Sequence, residues 1–147
     1  MYFYGQGVKQ DYIKAVEWYQ RAAEQGNALA QLFLGNMYYD GQGVKQDYFK
    51  AFEWFKKAAE QGDASAQCNL GYMYAEGKGV KQDYAKAVEW YQKAADQCQS
   101  DAQYNLGIMY YDGEGVRQNY TKAKEYFGLA CDNKDQDGCD MYKMLNQ

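Results

Sequence analysis

The chain has 147 residues, with 17 tyrosines, no histidine, no proline and a formal net charge of −4. Without histidine there is no imidazole base, no His-paired nucleophile and no His-bearing metal site, and an acidic balance opposes a surface built for nucleic-acid phosphates. No apolar run approaches the ~20 residues needed to span a bilayer, so neither membrane insertion nor a cofactor is expected, and the length is ample for one packed domain.

Self-similarity organises the rest. Gly41, Gly77 and Gly113 are 36 residues apart, and so are Val44, Val80 and Val116. Residues 1–26 match only the last two-thirds of a unit, with Met1 on the phase of Met37. They are expected to form the end of a first helix, a Gly5-x-Gly7 turn, and a second helix capped by Asp11. Residues 27–62, 63–98 and 99–134 are full units, and 135–147 start another but drift from it, reading as a polar C-terminal cap. The whole chain is therefore one repeat domain.

Within each full unit, Ala30, Leu34, Met37 and Tyr38 recur at helical spacing until Gly41 and Gly43 stop the helix. Asp47, Asp83 and Asn119 stand where a second helix needs an N-cap. That helix runs through Ala51, Trp54, Phe55, Ala58 and Ala59, and Gly62 closes it. Glu17–Arg21, Glu53–Lys57 and Glu89–Lys93 are i,i+4 pairs, which mark a solvated outer face. No strand pattern occurs, so the fold class is all-α.

The segments Leu34-Gly35-x-x-Tyr38, Leu70-Gly71-x-x-Tyr74 and Leu106-Gly107-x-x-Tyr110, followed by Gly-x-Gly-Val-x-Gln-Asp turns, resemble Sel1-like repeats, the longer-looped relatives of tetratricopeptide repeats. The resemblance covers essentially the whole chain. It implies a right-handed αα-superhelical solenoid whose first helices line the concave side, and a non-enzymatic role as a scaffold for a protein or peptide. It also implies a bacterial periplasmic or secreted parent protein, with the cytoplasm as the alternative.

If Leu34, Gly35 and Tyr38 face the core, the opposite stripe of the first helices begins with Leu29, Ser65 and Asp101. It continues with Leu32, Cys68 and Tyr104; Asn36, Tyr72 and Ile108; Tyr39 and Tyr111; and Asp40, Glu76 and Asp112. Core positions barely change between units while most of this stripe does, which fits either a binding groove or a surface free to drift. Exposed tyrosine and isoleucine favour the groove. The acidic end of the stripe suits a peptide with a basic end, or simply neutralises Lys45, Lys81 and Arg117 in the turns.

Cys131 and Cys139 flank the last turn, across an αα-hairpin. Their place matches the Ala-Cys…Gly-Cys pair of cysteine-rich secreted members, and that resemblance implies a disulfide; two unrelated buried thiols are the alternative. Cys68 and Cys98 read as free. Asn133, Asp135, Asp137 and Gly138 imitate an EF-hand start, but Met144 stands where a bidentate Glu is required, so no metal is expected. A cell-wall or β-lactam-acting enzyme would need Ser-x-x-Lys, which neither Ser65 nor Ser100 provides. The remaining alternative is a module that self-associates through its N-terminal end, where Trp18 lacks a partner helix.

Overall fold

The computed structural model describes residues 2–147 and the side chains from Asp11 onward. Met1, placed above on the phase of Met37, lies outside them. The described residues form eight α-helices: α1 (Tyr2–Glu24), α2 (Ala28–Asp40), α3 (Tyr48–Glu60), α4 (Ala64–Glu76), α5 (Tyr84–Asp96), α6 (Ser100–Asp112), α7 (Tyr120–Asp132) and α8 (Gln136–Leu145). Each helix packs against the next, and each of the first helices α4 and α6 lies between its own second helix and that of the unit before. The protein is an all-α superhelical repeat fold.

Caps explain the helix bounds. Asp47, Asp83 and Asn119 accept from the backbone N–H groups of Lys50, Lys86 and Lys122, as their types suggest. Asn27, Asp63, Gln99 and Asp135 do the same at the other helices. At the second-helix ends, the N–H of Gly62 bonds to the carbonyl of Ala59 and that of Asp63 to Ala58, a Schellman pair. Cys98 and Lys134 take over the left-handed position there, at φ 63° and 69°.

The glycine after each core leucine is there for space. A methyl group at Gly35, Gly71 or Gly107 would lie 2.6, 2.8 or 2.5 Å from the ring of Phe55, Tyr91 or Phe127. Each first helix thus lets an aromatic ring of its second helix rest on bare backbone. Around these contacts runs a continuous core through Ala51, Leu70, Ala87 and Leu106, all fully buried.

Buried glutamines join neighbouring units. Gln67 donates to the carbonyl of Ala59 at 3.2 Å and accepts from the amide of Gln97 at 2.9 Å, while Gln97 also donates to the carbonyl of Gly62 at 2.9 Å. Gln31 with Gln61, and Gln103 with Asn133, repeat the Gln–amide link. The turn glycines join units too. A Cβ on Gly79 would strike the carbonyl oxygen of Tyr48, and one on Gly115 that of Tyr84, so each turn lies on the start of the preceding second helix.

The first unit departs from the sequence expectation. Residues 5–11 form no turn, and Asp11 caps nothing, because α1 runs unbroken from Tyr2 to Glu24. Among the described residues no earlier unit exists for that segment to rest on, and the later turns all use such support. Tyr12 and Tyr120 are exposed, whereas Tyr48 and Tyr84, at the same phase, are half-buried. On the outer face, Lys57 and Lys93 lie 4.6 and 4.4 Å from the ring centroids of Trp54 and Trp90, which adds cation–π contact to those helices.

Candidate functional site: a cavity between successive first helices

A cavity of about 270 Å³ opens between α2 and α4, lined by Asn36, Tyr39, Asn69 and Tyr72 and floored by Phe55 of α3. Asn36 and Tyr39 are one turn apart on α2, and Asn69 and Tyr72 hold the same relation on α4, so regular helix geometry aims both pairs at one space. The amide of Asn69 donates to the carboxamide oxygen of Asn36 at 3.4 Å. Tyr39 also packs on Tyr48 with ring centroids 5.0 Å apart and the ring planes tilted by 53°.

Lys78 stands at the edge of this space. Its ammonium donates to the Tyr39 hydroxyl at 3.0 Å and lies 5.4, 5.5 and 5.3 Å from the ring centroids of Tyr39, Tyr48 and Tyr72. The hydrogen bond to Tyr39 holds the ammonium above the usual lysine range, and it is a cation under all ordinary conditions. Burial pushes the Tyr39 phenol up as well, with the neighbouring ammonium working in the opposite sense.

The expected stripe divides. Asn36, Tyr39 and Tyr72 come together at the cavity. Asp40, Glu76 and Asp112 are exposed at the C-terminal ends of their helices. Ile108 and Tyr111 are half-buried on α6, and Tyr111 packs on Tyr120 at 5.2 Å. Tyr104 is half-buried against Phe127, 5.7 Å between centroids, and burial raises its phenol, followed by repulsion from Asp137 and Asp135.

Leu32 and Cys68 do not line a groove. They are 7% and 6% exposed and belong to the continuous core. A first helix of the array is flanked on two sides by second helices, so its free arc is narrower than the back of an isolated helix pair would be. Burial, helped by Asp101, pushes the Cys68 thiol up to about 12. Sequence reasoning missed Asn69, Phe55, Tyr48 and Lys78. The one available signal for Lys78 was that its turn position holds Gln42 and Glu114 in the other units.

At the other end of the array, Cys131 and Cys139 form a disulfide between α7 and α8, with Cα atoms 4.5 Å apart. Cys68 and Cys98 are free, the former buried and the latter exposed. Among the described residues no group of three or more Cys, Asp or Glu is placed to hold a metal ion, and no helix is long and apolar enough to cross a membrane.

With this geometry in view, the Sel1 repeat pattern matches residues 1–27, 28–63, 64–97 and 100–135. The chain belongs to the Sel1 repeat family. Proteins of that family generally serve as non-enzymatic protein–protein interaction scaffolds. Among solved structures, a protective antigen present in uropathogenic Escherichia coli strains is 44% identical with TM-score 0.82, over 84% of this chain and 26% of its own. A Sel1 repeat protein from Oxalobacter formigenes is 40% identical with TM-score 0.85, over 97% of this chain and 58% of its own. Helicobacter pylori cysteine rich protein B is 33% identical with TM-score 0.71, over 91% of this chain and 96% of its own. The chain thus spans about a quarter of the first Sel1 repeat relative and somewhat over half of the second. Among curated protein sequences, none matches.

Proposed function

We infer that this Sel1 repeat chain is a scaffold that binds a peptide or protein segment along its concave, first-helix face, and that the cavity between α2 and α4 is the centre of that surface. The cavity is the observation that carries the reading. Tyr72 is 39% exposed on a regular helix, beside two carboxamides and above an aromatic floor. Aromatic rings give area at little entropic cost, and carboxamides offer both a donor and an acceptor to a passing main chain. The Cys131–Cys139 disulfide supports an extracytoplasmic location, and the antigenic and cysteine-rich relatives point the same way.

The test is a double substitution, Tyr72→Ala with Asn69→Ala, which removes one ring and one amide from the cavity wall. Wild type and variant are immobilised side by side and partners recovered from a periplasmic or secreted fraction. Selective loss of a partner, with helical circular dichroism retained, supports the reading. Equal recovery by the two proteins sinks it.

One observation favours a second reading, association through the N-terminal end. Trp54 packs against a cluster of Ala23 from the unit ahead with Ala30 and Leu34 from α2 of its own unit, whereas Trp18, its counterpart in α1, is 72% exposed. Another Sel1 repeat unit placed ahead of α1, such as one from a second copy, would cover that ring. A monomer by light scattering at high concentration, with Trp18 fluorescence unchanged on dilution, removes self-association.

A further inference from the structure

We propose that Lys78 makes the α2–α4 cavity a receptor for a carboxylate, so that a bound peptide is anchored at an aspartate, a glutamate or its own C-terminus. The inference deepens the concave-face reading and rests on it.

Lys78 projects from a rigid turn. Gly77 and Gly79 on either side take φ of 67° and 69°, and the Lys78 N–H bonds to the carbonyl of Met73 at 3.0 Å. From there the side chain reaches back to the unit ahead, where Tyr39 and Tyr48 meet it, while Tyr72 flanks it from its own unit. Tyr39 and Tyr72 line the cavity as well, so the ammonium and the cavity share two walls. The rings hold the cation in place through their negative faces.

An ammonium carries three donors. One goes to the Tyr39 hydroxyl, and the Tyr72 hydroxyl draws more weakly on the ammonium. Ring faces attract the charge without accepting the remaining N–H groups as an oxygen would. The cavity lining holds no carboxylate to neutralise them: its side chains are two carboxamides and three aromatic rings. The ring contacts have therefore already narrowed the positions of a long flexible side chain, leaving its ammonium open to solvent with donors to spare beside an open space. An arriving anion need not order it again, which is the condition under which a charge contributes most to binding. A charged hydrogen bond there would be shorter and stronger than any the neutral lining can make. The carboxamides of Asn36 and Asn69 suit the peptide groups on either side of such a carboxylate.

The constellation occurs once in the full units. In the following unit the residues at these positions are Ala75, Tyr84, Ile108 and Glu114, in place of Tyr39, Tyr48, Tyr72 and Lys78. A repeat array otherwise offers similar surfaces at every step, and a single fixed cation would select one register for the partner.

The experiment uses fluorescently labelled, N-acetylated octapeptide pools with the intact chain. One pool has a free C-terminus, one is amidated without acidic residues, one is amidated with a fixed Glu, and one is amidated with Gln in its place. The wild type should bind the free-acid or Glu pool about tenfold more tightly than the neutral pools. Lys78→Met should abolish that difference with circular dichroism unchanged, and Lys78→Arg should keep it. The free-acid and Glu arms separate a terminal from a side-chain carboxylate. Pools that bind wild type and Lys78→Met with the same preference, or without preference for a carboxylate, overturn the anchor and leave peptide binding standing. Failure of all pools to bind the folded wild type overturns both.

Discussion

Truncating the exposed Gln97 to alanine should cost more than its position on the surface suggests. Its amide donates to the carbonyl of Gly62 at 2.9 Å and to the side-chain oxygen of Gln67 at 2.9 Å. Gln67 is 5% exposed, and its oxygen has Gln97 as its partner. Losing the first bond removes about 1 kcal/mol, and leaving a buried acceptor unpaired removes about 1–3 kcal/mol. Gln97→Ala is therefore expected to lose about 2–4 kcal/mol, against the ±0.5 kcal/mol typical of surface substitutions. For a chain of this size that corresponds to a fall in Tm of about 5–15 °C. Gln67→Met keeps the volume and orphans nothing: Ala59 retains the N–H of Gly62 at 3.0 Å, and Gln97 retains the Gly62 carbonyl. In that background Gln97→Ala should cost only about 1 kcal/mol. Urea unfolding of the wild type, both single variants and the double variant closes the cycle. A Gln97→Ala loss below about 0.5 kcal/mol, or an equal loss in both backgrounds, would refute the argument that the junction is held by this amide chain.

Reduction of the Cys131–Cys139 bond, which closes a loop of 8 residues, should destabilise the chain by about 2–3 kcal/mol; thiol titration of unreduced, denatured protein should find two thiols, Cys68 and Cys98. Four would show that the bond does not form. Gly79→Ala forces a side chain to φ 69° and into the Tyr48 carbonyl, whereas Gly62→Ala, at φ 98°, meets nothing within 4 Å. The former should lose more than about 2 kcal/mol and the latter about 1 kcal/mol by denaturant unfolding, and equal losses would dismiss the docked turn. The Cys68 thiol is raised from 9.0 to about 12 in the fold, and burial raises the Tyr91 phenol in the same direction. A raised folded pKa favours the protonated form, so the stability linked to Cys68 is complete below pH 9 and lost as pH rises towards 12. Cys68→Ala should flatten part of that alkaline decline in a pH series of unfolding curves; an unchanged slope would remove Cys68 as a cause.

The helices, their stops and the second-helix caps were legible because they are local. Asp47 caps the helix it begins, and Gly41 ends the one before, through bonds spanning a few residues. The 36-residue period carried the architecture in the same way. Failures arose where a side chain answers to a neighbouring unit. Leu32 and Cys68 were assigned to the free surface on helical phase alone, and the second helices on either side take them into the core. Asp11 has the right type for a cap, yet capping there depends on a turn that rests on an earlier unit. Phe55 was legible as a core ring but not as a cavity floor, because the position of its ring depends on Gly35 leaving the backbone bare beside it. Lys78 read as one variable turn residue among others, and only the fold brings it to the rings of the unit ahead.

The junctions between units are nearly interchangeable, and that bears on how such an array can change by duplication. A copied 36-residue cassette would meet the same glutamine chain and the same turn contact at both of its ends, so the array could lengthen without redesign. The Lys78 enclosure would not multiply with it. A second copy of residues 63–98 would set its lysine against Ala75 rather than Tyr39, losing one ring and the hydroxyl. A second copy of residues 27–62 would place Gln42, not a lysine, on the first of its two tyrosine pairs. Because its parts are split across a boundary, the enclosure stays single when either unit is copied alone, and only duplication of residues 27–98 as one block would double it.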